Sequence, residues 1–241
     1  MLKNKLDKSI TAYKQSFSYE LDNQLMLNWY PKRVAKKMVD GKLLELGVGH
    51  GYSCKQFARQ VDEYTILDGS PAVISQFREN NPDLNHIKIV ETYFENYESP
   101  ELYDNIVMGF VLEHVEDPGL ILRKYKKFLT TEGRLFISVP NASSLHRQLA
   151  HLAGMLPDIK KLSESDKELG HLRYFTVDSL KKLVEVSGYE VISIEGLFLK
   201  PFTTAQITSL DLDDEIFDAL MKKGVDYPEL STGILLEAKV K

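Results

Sequence analysis

The sequence predicts an α/β protein: a doubly wound, mostly parallel sheet of seven strands with a helical cap inserted late in the chain. Three observations predict it. Short apolar runs alternate with segments of helical periodicity, the pattern of a parallel sheet covered on both faces. The first run, residues 43–46, leads straight into three glycines at alternate positions, Gly47, Gly49 and Gly51. The second run, residues 64–68, ends in an acid, Asp68. In such sheets ligands lie beyond the carboxyl ends of the strands, where the strand order switches. The glycine turn, Asp68 and the 108–110 region therefore converge on one crevice.

Taken in order, residues 1–40 interleave polar and aromatic side chains, among them Tyr13, Tyr19, Trp29 and Tyr30. They read as an N-terminal helical cap or flap, with Pro31 opening a helix over 32–39. The first strand, LLEL at 43–46, turns through the glycines into a helix over 53–61 with Phe57, Ala58 and Val61 on one face. After the second strand come Ser70 and Pro71, a natural N-cap and first helical residue, opening a helix over 71–80. Strands follow at 87–90 and 104–109. Asp117-Pro118 repeats the cap-plus-proline signal, for a helix with Leu122, Tyr125, Phe128 and Leu129 on its apolar face and Gly133 as its stop. A fifth strand covers 134–139.

The alternation then breaks. Leu145, Leu149, Leu152 and Leu156 follow a helical spacing, and a polar stretch follows over 160–170. Residues 141–175 thus read as a cap inserted into the main domain, 41–241, and as a lid that moves over a substrate. Thr176 caps a helix over 177–187 that Gly188 ends. A sixth strand covers 189–194, a helix 212–222, and a last strand 233–240.

Composition narrows the function. Of 241 residues, 30 are Lys or Arg and 35 Asp or Glu, a net charge of −5. That balance argues against sequence-independent nucleic-acid binding, which depends on Lys and Arg neutralising phosphates. The first residues lack the apolar core of a signal peptide, and no run is long and apolar enough to span a membrane. Cys54 is the single cysteine, which rules out an internal disulfide and a multi-cysteine metal site. The simplest expectation is a cytoplasmic monomer or homodimer acting on a small molecule, with no nucleic acid and no bound metal. His146 and His151, five residues apart, fall on different helix faces and do not form a metal pair.

Two cofactor classes use a glycine turn followed by an acid at the end of the second strand. The dinucleotide fingerprint G-x-G-x-x-G needs its third glycine at position 52, where Tyr52 stands. The run Glu45-Leu46-Gly47-Val48-Gly49-His50-Gly51 instead resembles motif I of the class I S-adenosylmethionine-dependent methyltransferases. Residues 111–118, VLEHVEDP, resemble the stretch after that family's fourth strand, and 133–141, GRLFISVPN, its fifth strand. His171-Leu172-Arg173-Tyr174-Phe175 is similar to the H-x-R-x-F segment of the ubiquinone-biosynthesis-like branch. The match covers roughly residues 40–200.

The resemblance implies a Rossmann-like class I methyltransferase fold and an enzyme that takes S-adenosyl-L-methionine and releases S-adenosyl-L-homocysteine. It implies that Gly47, Val48, Gly49 and Gly51 pass under the amino-acid end and ribose, and that Glu45 receives the methionine ammonium. Asp68, 21 residues after Gly47, would take the ribose hydroxyls, with Gly69 and Ser70 beside it. Thr92, Tyr93 and Phe94 would meet adenine. Met108, Gly109 and Phe110 would lie near the sulfonium, with Gly109 leaving room for the substrate. Methyl transfer is an in-line displacement in which the protein mainly aligns a nucleophile. A hydroxyl acceptor also needs a base, for which His114 and His171 are the candidates. Tyr13, Tyr19, Tyr30, His171 and Arg173 are candidate substrate contacts, Arg173 as a bidentate clamp on an anionic group. O-methylation is the expected reaction. N-methylation of an amine, and a fold member that binds the cofactor without transferring methyl, stay open.

Overall fold

The computed structural model describes residues 20–241; Tyr13 and Tyr19 lie outside the described residues. The strands in chain order are β1 (Lys42–Leu46), β2 (Glu63–Asp68), β3 (Lys88–Glu91), β4 (Tyr103–Gly109), β5 (Leu129–Pro140), β6 (Tyr189–Leu197) and β7 (Gly233–Val240). They form one sheet in the order β3-β2-β1-β4-β5-β7-β6. The first five are parallel, and β7 runs antiparallel between β5 and β6. The predicted fold class is the one observed. The order switches between β1 and β4, which places the crevice at the carboxyl ends of these two strands.

The helices are α1 (Glu20–Ala35), α2 (Tyr52–Phe57), α3 (Pro71–Asn80), α4 (Pro118–Tyr125), α5 (Leu145–Leu152), α6 (Glu164–Glu168), α7 (Val177–Val186), α8 (Thr204–Ser209) and α9 (Asp214–Gly224). Both cap-plus-proline signals hold. Ser70 Oγ accepts from Val73 N–H at 3.2 Å, and Asp117 Oδ1 accepts from Leu120 N–H at 2.9 Å. Two apolar layers sandwich the sheet. Leu44, Leu46, Ile106, Met108, Leu135 and Ile137 point to one face, towards α4 and α7, whereas Leu43, Ile66, Val107 and Phe136 point to the other, towards α1, α2 and α3. This is the alternation that strands buried on both sides require.

Four local expectations change. Pro31 opens no helix and lies inside α1. A proline there removes one helical hydrogen bond, but Met26, Tyr30, Pro31 and Val34 are all buried, and Arg33 grips Glu195 bidentately at 2.8 and 2.9 Å, so tertiary packing holds the helix. The helix after the glycine turn stops at Phe57. Gly133 stops no helix, because α4 ends at Tyr125 and Leu129 already pairs with Tyr103 on β4. Finally, α5 is seated by its buried Arg147, while Leu149 and Leu152 on the expected apolar face are exposed.

Arg147 also explains why the 141–175 segment is braced. Its guanidinium donates to the carbonyls of Ile159 and Lys161 at 2.9 and 2.6 Å and to Tyr174 Oη at 3.2 Å. The polar run over 160–170, part of the segment expected as a lid, carries α6 with a capping box from Ser163, and its Asp166 is buried. The segment is anchored at both ends. Asn141 Nδ2 donates to three carbonyls of the 228–231 loop, and Leu172 N–H donates to Glu113 O at 2.8 Å.

Candidate functional site

A chain that leaves a strand and reverses into a helix within five residues needs backbone conformations that side chains resist. Gly47, Gly49 and Gly51 have φ of 83°, 49° and 76°, all in the left-handed region that glycine enters freely. At Gly51 a Cβ would also lie 2.8 Å from the Phe77 ring, whereas at Gly49 it would meet nothing within 4 Å. Gly51 is therefore required by packing, and Gly49 presents bare backbone to open space. That space is a cavity of about 340 Å³, lined by the glycine turn, Asp68, Gly109 and Phe110 on the sheet side and by α1 and the 140–174 segment opposite.

Asp68 stands at the cavity edge with both oxygens engaged on one side. Oδ2 accepts from Val48 N–H at 3.0 Å and Oδ1 from Ser70 N–H at 2.8 Å. Burial pushes its pKa up, and the two backbone donors work against that rise. A carboxylate has about four lone-pair sites, so both oxygens retain capacity towards the cavity. Glu45 sits one layer deeper. The Tyr64 hydroxyl donates a short hydrogen bond to it, the Tyr30 hydroxyl a long one at 3.4 Å, and Ser53 a third. Burial raises Glu45 to about 7 despite these donors.

The other candidates divide. Val48, Gly69, Ser70, Phe94 and Tyr30 line the cavity with the glycines, and His114 and His171 face it across from them. Thr92 is half-buried, Tyr93 is exposed and Met108 is fully buried in the sheet, all three outside the lining. Gly109 leaves room for Tyr30, since a Cβ there would lie 2.4 Å from the Tyr30 hydroxyl. Phe110 takes a φ of 56°, an uncommon strained conformation for a non-glycine residue, held by its N–H donating to Ser138 O and by edge contact with Tyr30. Arg173 does not face the cavity. Its guanidinium donates to the carbonyls of Leu112, Val115 and Glu116 and so fixes the loop that carries Glu113 and His114.

That loop holds the least satisfied group of the site. Glu113 is fully buried, and neither carboxylate oxygen has a hydrogen-bond partner among the described residues. Burial lifts its pKa to about 7, partly offset by the neighbouring His171 and Arg173. The His114 and His171 rings meet edge to face with centroids 4.8 Å apart. Burial and the adjacent His171 push His114 down to about 4, so it stays neutral with a lone pair available. His171 Nδ1 lies 3.3 Å from Asp166 Oδ1. One atom each of Glu113, His114 and His171 lie within 4.8 Å of one another, close enough to share a proton or a cation. The sequence reading found no such group, because it sought metal spacing only among the cysteine and the α5 histidines. The signal was present in Glu113-His114 followed at a distance by His171, and Asp166 was hidden in a run that read as polar surface.

A family model described as a methyltransferase domain matches residues 19–194. The ubiquinone biosynthesis O-methyltransferase of Pseudomonas entomophila (strain L48) is 27% identical over 195 residues, covering 79% of this chain and 82% of that protein. Among solved structures, a possible histamine N-methyltransferase from Thermotoga maritima superposes with a TM-score of 0.63 at 14% identity, covering 96% of both chains. The N-methyltransferase NodS from Bradyrhizobium japonicum WM9, in complex with S-adenosyl-l-homocysteine, gives 0.56 at 14%, covering 93% of this chain and 89% of its own.

Proposed function

The chain belongs to the methyltransferase-domain family and is a class I S-adenosylmethionine-dependent methyltransferase, and on that premise we propose that it methylates a hydroxyl of a small molecule bound in the cavity. When bound, S-adenosylmethionine supplies the electrophilic methyl group. The residues fit it. The bare backbone at Gly49 accepts a ligand at close range, Asp68 keeps lone pairs towards the cavity for the ribose hydroxyls, and Glu45 lies beneath with its charge balanced between forms near neutral pH. Phe94 is the one adenine candidate on the cavity wall.

The observation that carries the hydroxyl reading is the unpartnered Glu113 beside two imidazoles. Proton acceptance works best when the base titrates near the operating pH. Glu113, raised to about 7, meets this condition better than His114, held at about 4. In this reading Glu113 takes the proton from the acceptor hydroxyl, and neutral His114 orients that hydroxyl. His171, whose Nδ1 lies 3.3 Å from Asp166 Oδ1, stands beside the Glu113 carboxylate that accepts the proton. Tyr30 and Phe110 meet edge to face on the cavity wall. Names of relatives also support O-methylation.

The test uses the full chain with methyl-labelled S-adenosylmethionine and a panel of phenols, polyols and amines. Label should enter hydroxyl acceptors at a rate that rises through about pH 7. Label confined to amines would give N-methylation instead, and a rate that falls as pH rises through 7 would remove Glu113 from the role.

A further inference from the structure

The rest of the cavity wall carries polar groups that this reading leaves without a role. Among the described residues, Asp22 Oδ1, Ser144 Oγ, His146 Nδ1 and Thr232 Oγ1 are buried and make no hydrogen bond within the protein. All four residues line the cavity. They come from separate places: α1, the loop after β5, α5 and the residue before β7. The backbone holds them in one neighbourhood. Asn141 N–H donates to Thr232 O at 2.9 Å and Leu145 N–H to Leu230 O at 2.8 Å, setting residues 141–146 beside Thr232. Asp22 and His146 share a neighbour in Lys200. Asp22 Oδ2 pairs with its ammonium, and burial followed by that charge holds His146 neutral down to about 3.

Buried polar groups are ordinarily hydrogen-bonded, and each exception calls for a physical reason. Four on one wall point to a ligand. Water can serve them, but an acceptor that replaced the water with hydrocarbon would leave all four unmatched. Their chemistry restricts the ligand further. One carboxylate oxygen, two hydroxyls and a neutral imidazole exchange hydrogen bonds with hydroxyls. The carboxylate is balanced by Lys200, and the neighbouring cation Arg147 has its guanidinium engaged by Ile159 O, Lys161 O and Tyr174 Oη.

Resting on the hydroxyl-methylation reading, we infer that this wall is a subsite for a neutral, hydroxyl-rich portion of the acceptor, a polyol or glycosyl group, held by Asp22, Ser144, His146 and Thr232 while another hydroxyl of the same molecule faces Glu113. It is a specificity site, separate from the cofactor contacts.

The experiment titrates the full chain, saturated with S-adenosylhomocysteine, with two catechols that differ only in their tail: 3,4-dihydroxyphenyl β-D-glucoside and 4-hexylcatechol. The glucoside should bind about tenfold or more tighter. The double substitution Ser144→Ala with Thr232→Val should erase most of that preference while leaving S-adenosylhomocysteine affinity within about twofold. Equal or tighter binding of hexylcatechol, binding of neither, or a glucoside preference untouched by the double substitution would overturn the subsite. Should the double variant fail to fold, seen as lost S-adenosylhomocysteine binding, the wild-type preference alone decides. Failure of the wild type to bind S-adenosylhomocysteine would count instead against the methyltransferase reading, so the two failures are separable.

Discussion

The backbone N–H of Val48 donates to Asp68 Oδ2 at 3.0 Å, while the other oxygen of the same carboxylate accepts from Ser70 N–H at 2.8 Å. One side chain thus ties the glycine turn after β1 to the start of α3. The parallel register of β1 with β2, Leu46 opposite Leu67, brings the two ends level. In our reading Asp68 is at once the brace of the turn and the ligand of the ribose.

The glycines of that turn should separate in their effects. Gly51→Ala forces a Cβ to 2.8 Å from the Phe77 ring at a φ of 76°, and should cost about 1–3 kcal/mol of stability in thermal or urea unfolding. Gly49→Ala meets no neighbour and should cost only the left-handed penalty, about 1–2 kcal/mol. Its larger effect should be on S-adenosylmethionine affinity, since in our reading the new methyl stands on the backbone that the cofactor approaches. A Gly49→Ala variant that binds cofactor normally would move the cofactor off this turn.

Glu113 makes a prediction with a sign. Its folded pKa of about 7 lies above the unfolded value, so between about 4.5 and 7 the folded state holds more protons. Stability contributed by this group is present below about 4.5 and is lost as pH rises through 7, by at most about 3.5 kcal/mol. Glu113→Gln should therefore be more stable than wild type at pH 8 and gain little at pH 4.5, while losing methyl transfer. Melting curves at the two pH values check this; a variant less stable than wild type at pH 8 would mean that the carboxylate has partners in solution.

Arg173 should behave as a support of the site rather than a clamp on substrate. Arg173→Ala frees three carbonyls of the Glu113 loop and should lower stability by about 1–3 kcal/mol, with cofactor affinity nearly intact. Arg173→Lys should not restore it, because one ammonium cannot reproduce the fork. Full rescue by lysine would contradict the geometry.

The buried pair Lys200–Asp22 joins the segment after β6 to α1. Lys200→Met leaves a carboxylate buried alone and should cost about 3–5 kcal/mol, whereas adding Asp22→Asn should recover much of the loss. Chemical denaturation of the single and double variants measures the difference.

The sheet and the glycine-turn end of the cavity were legible in the sequence because they rest on short-range rules. Strands β1, β2 and β7, the α3 cap at Ser70 and the left-handed glycines all follow from local spacing, and Asp68 follows from standing at the end of a strand. Pro31 misled because a rule about helix starts lost to the burial of Tyr30 and Val34. The opposite wall, which carries Glu113, His114 and His171, was less legible because it is built from long-range pairs. Nothing local indicates that Arg147 will hold Ile159, Lys161 and Tyr174, that Asp166 will turn inward to His171, or that Arg173 will close on the loop of Glu113. A polar run with one buried acid reads the same as a solvated one until its partner is known.

The most direct test of the account is a calorimetric titration of S-adenosylhomocysteine into the wild-type chain and into Asp68→Ala. The account predicts one site in the wild type, no heat with NADH, and affinity roughly 10- to 100-fold weaker in the variant, from the loss of charged hydrogen bonds. No binding to the wild type, or equal affinity in the two proteins, would contradict it.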